Sequence, residues 1–228
     1  MPATRPTAMT TDAGLYRLFA WLSPAFPTGA FSYSHGLEAA GIEGRAGLEA
    51  WIAAVVTQGS GRIDADIFRD AYRAAALGDC AALDDANRRG LAYRGSAELA
   101  LEAAAQGAAF LAALRAAWPA PALAAWRPEE VCHAAAVGAA AAAAGIALET
   151  ALMLYLHAFA ANLTAAGMRL GLIGQTDGQR ILAALEPAIR AAAAASLSRA
   201  AGDFGAATVA AELASMAHET QYSRLFRS

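Results

Sequence analysis

The sequence predicts an all-α fold, a single helical domain of about eight to ten helices. Three observations carry this. Ala, Leu, Arg and Glu, all strong helix formers, dominate, and β-branched residues are sparse. No run alternates with period two in the manner of a strand. Apolar residues recur instead at i, i+3, i+4 and i+7 in stretches closed by Gly or Pro. With 228 residues, 57% of them hydrophobic and 16% charged, the chain can bury a core without a disulfide or metal staple and is too apolar for disorder.

The elements follow in order. Residues 1–12 are polar, carry two prolines and read as a disordered lead-in; residues 13–218 read as the helical domain and 219–228 as a tail. A first helix over 14–22 has its stripe at Leu15, Leu18, Phe19 and Leu22, and Ser23-Pro24 stops it. After a loop, Ser32 or Ser34 is positioned to cap a helix through Gly36, Leu37 and Glu38. A helix over 47–57 buries Leu48, Trp51, Ile52, Val55 and Val56, and the glycines at 59 and 61 break it. Asp64 then opens a helix that Gly78 ends, and Asp79 caps the next. Ser96 caps a long helix to Ala117, and Arg127-Pro128-Glu129-Glu130 starts another. Residues 131–148 and 150–168 carry no formal charge, and each is long enough to span a bilayer. Their alanine content, glycines and polar side chains favour helices buried inside a globule. Thr176 or Asp177 caps a helix over 178–195, and Asp203 caps the last one, up to about His218.

Composition excludes several chemistries. All 17 basic residues are Arg, so a Schiff-base lysine and a P-loop lysine are both absent. A net charge of −3 argues against a phosphate-binding surface and so against nucleic acid. Cys80 and Cys132 form no CxxC and read as buried thiols in a reducing cytoplasm. His35, His133, His157 and His218 fit neither HxH nor HExxH, so no metal site and no cofactor is expected. Asp66 and Asp70, flanked by Arg62, Arg69 and Arg73, look like a solvated face. GxSxG is absent, and no spacing assembles an enzyme.

Three islands stand apart from the helical background. SPAFPTGAFSYSHGLE (23–38) packs prolines, glycines and aromatics into one loop. GQTDGQRIL (174–182) places glycines and amides at a helix start, where an anion could sit. HETQYSRLFRS (218–228) ends in aromatic and Arg residues of interface-prone type. In this order and spacing, the three resemble the F-type urease accessory proteins, the UreF family, over nearly the full chain. Leu172 departs from the proline that the family often carries there.

The resemblance implies an all-α, non-catalytic, cytoplasmic maturation factor. It implies binding to the D/H-type urease accessory protein, recruitment and gating of the G-type GTPase, docking on apo-urease to support nickel delivery, and a homodimer. On the matching motifs, the partner-binding positions are Pro27, Gly29, Phe31, Ser34, Gly36 and Glu38 in the loop. They continue with Gln175, Asp177 and Gln179 in the second island and Tyr222, Arg224, Leu225 and Phe226 in the tail. The tail is expected to be mobile in the free chain and to fold back on the loop when a partner binds. Arg224 would then reach loop carbonyls or an aromatic face. The competing readings are a helical enzyme with its site at the glycine-rich loops and a membrane-associated helical protein.

Overall fold

A computed structural model describes residues 11–228, so nearly all of the expected lead-in lies outside the described residues. Thr11 caps the first helix, its side chain accepting from the Gly14 N–H, and Asp12 already belongs to it. The described residues form nine α-helices and four short 3-10 turns, with no strand among them, and the all-α expectation holds. The helices are α1 (Asp12–Leu22), α2 (Gly44–Gln58), α3 (Ser60–Leu77), α4 (Cys80–Ala92) and α5 (Ala97–Ala117). They continue as α6 (His133–Ala143), α7 (Leu148–Arg169), α8 (Gln175–Ser198) and α9 (Val209–Glu219).

The centre is α3 packed along α6, with α4, α2, α8 and α7 around them. Eight consecutive residues of α6, Ala134 to Ala141, are buried, so this helix has no polar face at all. Each buried methyl stabilises by only about 0.8 kcal/mol, but small side chains let helix axes approach closely. Gly138 marks the tightest point of this contact. A Cβ there would lie 2.5 Å from the Phe68 carbonyl oxygen.

Several boundaries differ from expectation. Gly59 separates α2 from α3, but Gly61 lies inside α3. The helix therefore starts at Ser60, not Asp64, and Asp64 sits in its buried body. The Arg127–Glu130 segment stays non-helical, and α6 starts at His133. Instead of opening a helix, this segment is pinned by side chains: Asn87 donates to the Glu130 carbonyl at 2.8 Å and accepts from the Cys132 N–H at 2.7 Å. The caps of Asp79 and Ser96 form as expected. α8 starts at Gln175 after Gly174 with no side-chain cap, and Asp203 closes a 3-10 turn before α9. On α1, Leu18 and Trp21 face the core, while Leu15 and Phe19 point outward.

The expected solvated face on α3 is overturned. Asp66 is buried and pairs with Arg199 at 2.7 Å and Arg69 at 3.3 Å. Arg69 also bonds Asp70 at 2.8 Å and the Ser196 carbonyl. The reason is position: α3 is surrounded, so its charges find partners from the end of α8 rather than water. Cys132 is buried as expected, but Cys80 is exposed.

Candidate functional site

The first island folds as a chain of tight turns. Ser23 leaves α1 in extended geometry, and 3-10 turns cover Ala30–Ser32 and Leu37–Ala39. No full helix forms over 34–38, although the Ser34 hydroxyl does accept the Glu38 N–H at 3.3 Å. Gly36 has φ +77°, and a Cβ there would meet the Ser215 backbone nitrogen at 2.8 Å. Only glycine fits both the backbone and this approach of α9.

The tail docks on this loop in the free chain, which corrects the expectation that it is mobile alone. Glu38 anchors it: one carboxylate oxygen accepts the Leu225 N–H at 2.7 Å, the other the Phe226 N–H at 2.9 Å. The second oxygen also lies 3.1 Å from His218 Nε2, and His218 Nδ1 lies 2.6 Å from Glu98. Glu98 in turn bonds Arg224 at 2.5 Å. Burial alone would raise the Glu38 carboxyl, but the two tail amides and His218 outweigh it and hold it below the ordinary 4.5. Further along, the Arg227 N–H donates to the Ser32 carbonyl at 2.9 Å and the Ser34 N–H to the Ser228 carbonyl at 2.7 Å. Phe226 is buried, with the Arg169 guanidinium 4.3 Å above its ring.

Arg224 thus meets a carboxylate rather than loop carbonyls or a ring. The loop carbonyls are occupied, that of Phe31 by Arg169 and that of Ser32 by the tail backbone. The structure brings the first and third islands together and leaves the second apart. Asp177 bonds Arg180 at 2.9 Å, and Gln175 and Gln179 face solvent. Ser34, Gly36 and Phe226 are buried and serve contacts within the chain. Pro27, Phe31, Tyr222, Arg224 and Leu225 are exposed, Tyr222 fully so and Phe31 at 68%. Gly29, with φ +74°, shapes the turn that presents Phe31.

Beneath the tail lies a buried polar layer that no spacing foretold. Glu102 on α5 bonds Ser228 at 2.8 Å, His35 at 3.1 Å and Gln106 at 3.0 Å. Beyond it, Arg94 pairs with Asp64 at 2.7 Å, and the Tyr155 hydroxyl donates to Asp64 at 2.9 Å. Residues of both groups line one small cavity, with His133 on its wall. Burial lowers His133 to about 4 and raises both the Cys132 thiol and the Tyr155 phenol. Among the described residues, no group of three or more His, Cys, Asp or Glu side chains is arranged to hold a metal ion.

The family model named UreF matches residues 42–186. The chain belongs to the UreF family. The chain is 47% identical over 230 residues to the urease accessory protein UreF of Granulibacter bethesdensis, covering 98% of both chains. Against that of Bradyrhizobium sp. strain BTAi1 it is 46% identical, covering 94% of this chain and 92% of the relative. Against that of Rhodopseudomonas palustris strain HaA2 it is 46% identical, covering 98% and 97%. The resemblance carried by the three islands is therefore correct, and UreF membership makes this chain a urease accessory protein.

Proposed function

We propose that this chain is a scaffold of urease maturation, non-catalytic in that it carries out no chemical step of that process itself. It binds the D/H-type accessory protein, recruits and gates the G-type GTPase, and supports nickel delivery to apo-urease in the cytoplasm. The observation that carries this reading is the composite surface made where the tail lies on the loop. There, Phe31 on the loop and Tyr222, Arg224 and Leu225 on the tail are exposed, with the tail backbone fixed by Glu38. Exposed aromatic, aliphatic and Arg side chains on a rigid support are what a protein interface needs. Pro27 and Gly29 shape this surface, while Ser34, Gly36, Glu38 and Phe226 support it from inside. Gln175, Asp177 and Gln179 offer a separate contact.

Two more apolar faces favour assembly. One is Leu15, Tyr16 and Phe19 on α1, the other Val209, Leu213 and Met216 on α9. Such unpartnered faces fit a homodimer as well as a heterologous partner. α5, α7 and α8 are long and apolar enough to cross a membrane by length and composition. Half of the apolar window in α5 and in α7 is buried inside this chain, which favours the globular reading.

Co-purification with the D/H-type protein and the G-type GTPase, with and without GTP and nickel, tests the proposal. Arg224→Ala keeps the helical circular dichroism and weakens GTPase recruitment. Normal assembly and urease activation after deletion of residues 219–228 would overturn it. Recovery of the chain only with detergent would favour the membrane reading instead.

A further inference from the structure

We propose that Ser60 is a nucleophile activated by His35 and Glu102, able to accept an acyl group from small activated esters. The three come from distant parts of the chain and meet in one line. Ser60 Oγ lies 2.5 Å from His35 Nε2, and His35 Nδ1 lies 3.1 Å from Glu102 Oε2. This is the order a nucleophile, base and orienting acid require: the hydroxyl donates to one ring nitrogen, and the other donates to the carboxylate.

The supports are built to hold that line. Glu102 is fixed by Gln106 on one oxygen and by the Ser228 hydroxyl on the other. The His35 ring stacks edge-on against Phe159 at 5.2 Å. Among the described residues, His35 is the one non-glycine residue with positive φ, at 59°. Strain of this kind persists where surrounding structure over-determines a side chain's position.

Ser60 is also placed for access. It is half-buried and is the first residue of the 18-residue α3. The Arg62 and Ile63 N–H groups already bond the Gly59 carbonyl, so what the start of this helix offers a developing oxyanion is the positive end of its dipole. Ser60 lines a small recess together with Tyr93, Leu99, Thr208 and Glu212 among others.

The reaction balances without a cofactor. Ser60 Oγ attacks the ester carbonyl carbon, its proton passes to His35 Nε2, and the Oγ–C bond forms. The bond from carbon to the leaving oxygen breaks, and that oxygen takes the proton from His35. Water then attacks the acyl-serine carbon, giving a proton to His35; the Oγ–C bond breaks, Ser60 recovers the proton, and a carboxylic acid leaves.

The full-length chain is incubated with a biotinylated fluorophosphonate and, separately, with p-nitrophenyl acetate. Adducts are mapped by peptide mass spectrometry. Modification of Ser60 at least about 100-fold faster than that of the exposed Ser198 in the same molecule is expected. His35→Gln and Glu102→Gln should slow labelling, the first by about 100-fold. Ser60→Ala should abolish nitrophenolate release above background. Equal labelling of Ser60 and Ser198, or no Ser60 adduct, overturns the proposal, and the internal comparison decides even where a variant fails to fold. Labelling of Ser60 that folded His35→Gln leaves unchanged overturns it too, since His35 would then only pack against the hydroxyl.

Discussion

At the scale of single residues, His133 and Glu38 each contribute to the acid behaviour of the protein. His133 has its value lowered to about 4 by burial, against an ordinary 6.5. An unfolded chain therefore binds a proton there that the folded one refuses. Stability is complete above pH 6.5 and falls as the pH drops from 6.5 towards 4, by about 3 kcal/mol in all. Urea denaturation at pH 7.5 and 4.5 measures this, and His133→Asn should flatten the difference. Glu38 works lower on the scale. Its folded value is below 4.5, so its contribution is present above 4.5 and lost as the pH falls through the folded value. Glu38→Gln replaces one carboxylate oxygen with an amide group that cannot accept a tail N–H. Hydrogen exchange at Leu225 and Phe226 should accelerate at least about tenfold while the core amides stay protected. Sequence pointed to Glu38 as part of an island, but not to its partners. The Leu225 amide lies 187 positions away, and no periodicity spans that distance. Ser60 and Glu102, 25 and 67 positions from His35, were missed for the same reason.

At the scale of elements, the nature of the helices was legible and some of their ends were not. Local signals worked where a side chain caps its own helix, as at Asp79 and Ser96. They failed where packing decides. Ser60 begins α3 because Gly59 turns against Thr208 of a remote segment, and Asp64 is drawn inside to meet Arg94. The outward Leu15 and Phe19 of α1 obey helical spacing, yet Leu18 and Trp21 make the core face. Periodicity shows that a face exists and leaves open which apolar face turns inward. The contact between α3 and α6 yields a sharp test. Gly138→Ala adds a methyl 2.5 Å from a backbone oxygen, which no rotamer change relieves. It should cost about 1–3 kcal/mol, read from the denaturation midpoint, although alanine is the better helix former.

At the scale of the whole molecule, charge lies inside as well as outside. Asp66, Arg69 and Arg199 tie the end of α8 to the centre of α3. Arg199→Ala leaves Asp66 with its longer contact to Arg69 and should destabilise by about 3 kcal/mol, measured by denaturation at neutral pH. The docked tail has a consequence in time rather than space. Ser34 and Ser228 are 194 positions apart. At roughly 5–20 residues per second, a ribosome needs about 10–40 s to travel between them. Through that interval the emerging loop holds Ser34 and Glu38 without the tail groups that later satisfy them. Water must serve in their place, so the N-terminal third of the nascent chain waits, hydrated and open to other binders, until its own far end is made.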